Sequence, residues 1–331
     1  MTQSVTGPRP DTTAGPVRPK APAVRRHDRR PGLRRLGTIL FFLAPALVLF
    51  LLLVIVPILV AGYTSLFKWN GFNLPEDFVG LDNFSRALGD PIFQGDLRRA
   101  LVLIVLSVVV QLPVSLALAL LLNQPLRGRA VYRLVFFAPY VLSEVTTAVL
   151  FTLVFSPSRG LGSTVLGWFG AAELGGSIFA DPATVLYAVF FVISWKYFGF
   201  HMILYLAGRQ GIPRELTEAA TTDGASGWQV FRHVTLPLLG PTIRISLFLS
   251  IIGTIQLFDM VWVLTGGGPT HASETLAVTM FQYGFRRFEV GYASAISIVM
   301  FLLSLVFALL YQRFVLRRDL EGALTTRGVQ R

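Results

Sequence analysis

The chain reads as an all-α integral membrane protein of six helical spans, with both termini in the cytoplasm. Three observations carry that reading. Hydrophobic residues make up 53% of the sequence and charged residues only 14%, where a soluble domain has about a quarter of its residues charged. Apolar runs recur at close to the ~20 residues a helix needs to cross a ~30 Å hydrocarbon core. Lys and Arg collect in alternate loops, the asymmetry that marks the cytoplasmic face.

Residues 1–35 hold Pro, Arg, Thr and Gly without apolar periodicity and end in Arg25-Arg26-His27-Asp28-Arg29-Arg30 and Arg34-Arg35. Such a segment cannot bury a core and is expected to be a disordered, basic cytoplasmic tail. Leu36–Ala61 follows, with Pro45 and Pro57 inside it. It exceeds the about 7–15 apolar residues of a secretory signal, so it reads as a retained first span. Further spans are expected at Ala100–Leu122, Leu134–Phe155, Thr184–Leu206, Thr242–Leu264 and Tyr292–Phe314. Residues 36–318 then form one transmembrane domain, and 319–331 a cytoplasmic C-terminal tail.

Loop charges set the orientation. Arg127, Arg129 and Arg133 lie between the second and third spans without an acid, and Arg313, Arg317 and Arg318 close the sixth, so both belong inside. Glu76, Asp77, Asp82 and Asp90 after the first span, and the single Arg159 after the third, fit outside; Arg286 and Arg287 on the outer flank after the fifth run against the trend and are outvoted. The net charge of +11 sits in the tail and short loops rather than on one face with interleaved aromatics. It therefore speaks for membrane orientation and contact with lipid, and against nucleic acid.

Catalytic chemistry has little support. Lys20, Lys68 and Lys196 are the only lysines and none follows a G-x-x-x-x-G run, so the chain is expected to carry no ATPase site, and no cofactor, of its own. His27, His201, His233 and His271 show no metal-site spacing, and Cys is absent. Ionisable groups within spans are costly and face a bundle interior or a wet path. Glu144, Lys196 and Asp259 are such groups, with Gln111 and Gln256 as uncharged companions. Two readings stand. Lys196 pairs with Glu144 or Asp259 as structural glue, or these residues, with Tyr197 and Trp262, line a polar solute's path. Trp69, Phe72 and Trp168 read as interfacial anchors.

One polar stretch lies between the fourth and fifth spans. Pro213 suits a first helical turn, and Glu215 and Glu218 place negative charge near the positive end of a helix dipole. Gly224 suits a left-handed helix stop, and Ser226-Gly227-Trp228-Gln229 has the form of a capping box. Two short helices joined at Asp223-Gly224 are expected, thin-surfaced at Ala219, Ala220 and Ala225, with Trp228 and Phe231 as apolar anchors.

Glu218-Ala219-Ala220, Asp223-Gly224-Ala225, Phe231, Val234 and Leu236-Pro237 together resemble the cytoplasmic loop of ABC importer permeases. Leu264-Thr265-Gly266-Gly267-Gly268-Pro269, Glu274-Thr275-Leu276, Tyr283-Gly284-Phe285 and Gly291-Tyr292-Ala293 are similar to the fifth-to-sixth-span region of maltose-type carbohydrate importers. Val79-Gly80-Leu81-Asp82-Asn83-Phe84 fits the first-named permease subunit of such systems. The resemblance covers roughly residues 37–318. It implies a second permease subunit of different sequence, a pair of ABC ATPase subunits holding ATP and Mg, and an extracytoplasmic solute-binding protein. It implies too that Glu218 to Ala225, with Phe231 and Pro237, docks on the ATPase, and that Gly266 to Pro269 is an outer turn beside the binding-protein dock. Arg286-Arg287 after Phe285, and Gly160-Leu161-Gly162-Ser163 without an Asn, depart from the family pattern. Other classes are an ABC permease for a glycerol phosphate ester and an ion-coupled secondary transporter.

Overall fold

The computed structural model describes Gly7 and residues 33–156, 160–168, 170 and 177–316. The rest of the expected basic tail up to residue 32, Arg159, Arg317, Arg318 and the expected tail 319–331 lie outside the described residues. The chain divides into two compact units, Met1–Val54 and Ile55–Arg331, with the boundary inside the apolar helix Thr38–Thr64. In the first unit, α1 (Leu33–Phe50) is apolar on every side from Ile39 onward and exposes Phe41, Phe42 and Leu47 alike. A helix hydrophobic all round is one that meets lipid or a larger apolar assembly.

The second unit is helical, and no named strand occurs among its described residues. Its elements are α2 (Val56–Thr64), α3 (Asp82–Gly89), α4 (Pro91–Leu122), α5 (Arg129–Val141), α6 (Glu144–Val154) and α7 (Leu161–Gly167). There follow α8 (Val185–Gln210), α9 (Arg214–Thr222), α10 (Gly227–Leu238), α11 (Gly240–Ile255), α12 (Asp259–Leu264), α13 (Leu276–Phe281) and α14 (Val290–Leu316). Thr38–Thr64, α4, α8 and α14 are each long and apolar enough to cross a membrane. Two bent pairs, α5 with α6 at 99° and α10 with α11 at 65°, raise that number to as many as six.

Two expected spans are not single helices. Leu134–Phe155 breaks where Leu142 and Ser143 turn extended: Pro139 weakens the end of α5, and the Ser143 hydroxyl accepts the Thr146 N–H at 3.0 Å to start α6. Thr242–Leu264 breaks at Gln256, Leu257 and Phe258, and the Leu257 carbonyl there accepts the Thr275 hydroxyl at 2.7 Å. The second helix also begins nine residues before the expected Ala100, because Asp90 caps Ile92 and Pro91 takes the first position.

Prolines shape the remaining helices without ending them. Three widened π-turns, Leu51–Ile55, Ser107–Gln111 and Phe231–Thr235, each finish two residues before a proline, at Pro57, Pro113 and Pro237. A proline ring clashes with the carbonyl four residues back and offers no N–H. Opening the preceding turn, so that Leu112 donates to Ser107 and Leu236 to Phe231, absorbs that misfit.

Small residues let helix backbones meet, as membrane packing requires. A Cβ on Gly199 of α8 would lie 1.9 Å from the Phe136 carbonyl oxygen of α5, so the two backbones touch. A separate buried cluster of Leu103, Ala148, Phe151, Val189, Val192, Met260 and Val261 joins α4, α6, α8 and α12.

Candidate solute cavity and docking loop

Both helix breaks open onto one cavity of about 300 Å³ in the second unit. Glu144, the first residue of α6, lines it, as do Tyr197 of α8, Gln256 in the second break and Asp259, the first residue of α12. Gln111 joins them from the π-turn of α4. Five polar residues from four separate stretches of the sequence therefore share one wall. Ser107, Tyr140, His201, Ser250 and Thr254 complete the polar lining, and Phe190, Phe200 and Phe258 supply aromatic faces. An apolar and aromatic wall carrying a few convergent polar groups is the usual make-up of a small-molecule site.

Lys196 is placed differently. It is 3% exposed, does not line the cavity, and donates to the carbonyl oxygens of Tyr140 (3.4 Å) and Leu142 at the end of α5. No ion pair with Glu144 or Asp259 accompanies it among the described residues. The next residue, Tyr197, donates its hydroxyl to the Glu144 carboxylate. Consecutive side chains of α8 thus hold the two lips of the α5–α6 break, one by the carbonyls that end α5 and one by the carboxylate that starts α6. A cation at a helix C-terminus also sits at the negative end of its dipole. Trp262 lies outside the cavity lining, against Phe281 at 4.8 Å between ring centres, with the Arg286 guanidinium 4.8 Å over its ring.

The loop between α8 and α11 stands exposed. α9 ends in a Schellman arrangement: Gly224 has φ +85°, its N–H bonds the Thr221 carbonyl at 3.0 Å, and the Ala225 N–H bonds Ala220 at 3.0 Å. The Ser226–Gln229 capping box is complete, with the Ser226 N–H on Gln229 Oε1 at 2.7 Å. Pro213 is the residue before the first helical turn rather than within it. Trp228 stacks beside Phe231 at 5.2 Å and stays 67% exposed. Ala220, Asp223, Gly224 and Ala225 line one shallow hollow with Gln229, Val230, His233 and Val234, while Glu218, Ala219 and Pro237 are exposed nearby.

Gly266 and Gly267 have φ of +60° and +90°, and Gly268-Pro269 is a cis peptide. The chain beyond turns inward. Ser273, Glu274, Thr275 and Thr279 are all buried. The Thr279 hydroxyl donates to Asp96 at 2.6 Å, Asp96 pairs with Arg99 at 2.5 Å, and Arg99 Nε reaches the Glu274 carbonyl at 2.8 Å. This network ties the segment to α4 and was missed in the sequence; an acid and a base three apart in Asp96-Leu97-Arg98-Arg99, at the mouth of an apolar run, were its signal. At the same end Asp90 accepts from Tyr283 (3.2 Å) and Tyr292 (3.0 Å). Burial, and then the Asp90 charge, raise the Tyr283 phenol above its ordinary value, which keeps it a donor.

The family described as binding-protein-dependent transport system inner membrane component matches residues 111–319. The chain belongs to that family. It is 36% identical to the probable ABC transporter permease protein YurN of Bacillus subtilis, over 82% of this chain and 94% of YurN. It is 33% identical to the trehalose/maltose transport system permease protein MalF of Thermococcus litoralis, over 81% of this chain and 90% of MalF. Among solved structures it resembles a chain of a bacterial ABC transporter involved in the import of the acidic polysaccharide alginate. That match has a TM-score of 0.75 at 25% identity and covers 86% of this chain and 96% of the other. The protein is thus a multi-pass inner membrane component of an ABC transport system.

Proposed function

We propose that this chain is one of two permease subunits of an ATP-driven importer for a sugar or related polyol, crossing the membrane six times with both termini inside. The observation that carries the reading is the cavity at the two helix breaks, where Glu144, Tyr197, Gln256 and Asp259 face one space with aromatic walls. Carboxylates and amides bond sugar hydroxyls, and aromatic faces cover the C–H faces of the rings. Discontinuous helices that present polar groups within a membrane are where transporters bind solute. Likeness to a trehalose/maltose permease and to an alginate importer supports the sugar class.

The second permease is a different chain, an extracytoplasmic solute-binding protein delivers solute near Gly266 to Pro269, and an ABC ATPase pair holds ATP and Mg below. The exposed loop from Glu218 to Ala225, with Phe231 and Pro237, docks on that ATPase. Closure of the ATPase pair moves α9, and the spans rock so that the cavity opens alternately to each side. A ligand-driven change of this kind needs differential contact in the two states, which a rigidly capped helix transmits. The test is uptake of labelled neutral disaccharides by native-host vesicles carrying the assembled system. Uptake should follow ATP and survive collapse of ion gradients. Uptake that ignores ATP and stops when the gradients collapse would replace this reading with a secondary transporter.

A further inference from the structure

We propose that the cavity selects by charge, admitting neutral saccharides and amino sugars and rejecting anionic ones such as uronates, sulfonated sugars and sugar phosphates. The inference rests on the cavity being the solute path and narrows the solute class within it. Glu144 and Asp259 are the carboxylates in the lining, and neither Lys nor Arg lines it. His201 lines it with Nδ1 engaged by the Ser246 hydroxyl at 2.7 Å.

Nearby cations are turned elsewhere. Lys196 lies behind the wall with its ammonium on the carbonyls that end α5. Counted in full against its neighbour Glu144, it still leaves the Asp259 charge uncompensated. Arg286 is spent over the Trp262 ring outside the lining. The remaining polar groups, among them Ser107, Gln111 and Gln256, are uncharged and serve hydroxyls as donors or acceptors. With low-dielectric walls on several sides, a solute anion meets repulsion that water screens poorly and finds no fork of donors to hold it. The alginate importer, whose cargo is acidic, is a relative from which this cavity should differ in function despite the shared fold.

Because the chain has no Cys, a single introduced thiol reports on the cavity alone. Gly253 lines the cavity and a Cβ there meets nothing within 4 Å, so Gly253→Cys is the first reporter and Ser250→Cys, also in the lining, the second. In membranes of the native host with the system assembled, the rates of labelling by cationic, neutral and anionic methanethiosulfonates of similar size are measured on this chain. Each rate is divided by that of a free thiol in solution. The cationic reagent should react at least about tenfold faster than the anionic one, and Asp259→Asn should cut that ratio at least about threefold. A flat ratio, a preference for the anion, or a ratio unmoved by Asp259→Asn and Glu144→Gln overturns the proposal. So does a thiol that the neutral reagent cannot reach, since a cavity closed to every solute selects none. Cation preference without any saccharide uptake would leave charge selection standing and remove the sugar reading; sugar uptake with a flat ratio would do the reverse.

Discussion

The docking loop and the cavity are built from opposite kinds of information. Among the described residues, the hydrogen bonds that cap the loop join residues within five positions of each other, as Ala225 to Ala220 and Ser226 to Gln229 do. The cavity wall draws Gln111, Glu144, Tyr197 and Asp259 from four separate helices. In the proposed mechanism the surface presented to a partner is the one fixed by local caps, and the space that changes shape is the one held by a few long-range contacts at broken helices. Substitutions in the two regions should therefore fail differently: the loop by uncoupling, the cavity by altered shape or selectivity.

The largest effect is expected at Gly224→Pro. Proline fixes φ near −65° and has no N–H, while Gly224 sits at φ +85° and donates to Thr221. A local cost of about 3 kcal/mol should remove most of the docked geometry. Solute uptake should drop at least about tenfold, with the protein still inserted and ATP hydrolysis by the assembled system continuing. Normal uptake by this variant would dissociate the loop from coupling.

Next comes Lys196→Met, which keeps most of the length of the side chain but removes the donor to the carbonyls of Tyr140 and Leu142. The two bonds are part-buried and the acceptor residues half-exposed, so the loss lies toward the lower end of the about 1–3 kcal/mol of an unpaired acceptor. The thermal midpoint of the purified protein should fall, and thiols at Gly253→Cys should change reactivity as the α5–α6 break relaxes. An unchanged midpoint and unchanged reactivity would mean that the break holds itself.

Smaller changes are expected from Glu144→Gln and Asp259→Asn, which keep shape and lose charge. A hydrogen bond to a charged group contributes about 1.5–3 kcal/mol where one to a neutral group contributes about 1. Uptake of a neutral sugar should accordingly fall several-fold at normal membrane levels, with ATP hydrolysis still coupled to what uptake remains. Unchanged uptake in both would take these carboxylates out of the path. The smallest effect is that of Ser226→Ala, which removes one half of the capping box at a cost of about 1 kcal/mol. It should lower uptake modestly, less than Gly224→Pro, and leave cavity labelling untouched; altered labelling would show that the two regions are not separable.

The same contrast explains what the sequence disclosed. Gly224, the Ser226–Gln229 box and the α9 and α10 helices were legible because caps and turns are local codes. Apolar run length disclosed the membrane helices, although α4 starts earlier than the run does because its first turns carry Asp96, Arg98 and Arg99. The breaks were not legible. Leu134–Phe155 and Thr242–Leu264 are continuous in hydropathy, the cap that Ser143 places on Thr146 is one that any in-span Ser can make, and nothing in Gln256 itself marks a helix stop. Depth in the membrane could be read for Lys196 and Trp262, but facing could not, and the structure turns both away from the cavity. Ser107, Tyr140, His201, Ser250 and Thr254 escaped notice for the same reason.

If force enters this chain through α9, as proposed, a thiol at Ala220→Cys should capture the subunit that delivers it. Ala220 lines the hollow of the docking loop, and its thiol would be the only one in the chain. After expression in the native host and cross-linking at the inner face of the membrane, the attached protein is identified by mass spectrometry. A P-loop ATPase should be recovered, in a yield that changes when ATP is bound. A thiol that is reactive in a properly inserted chain, yet never joins an ATPase in the assembled and transporting system, would contradict that proposal.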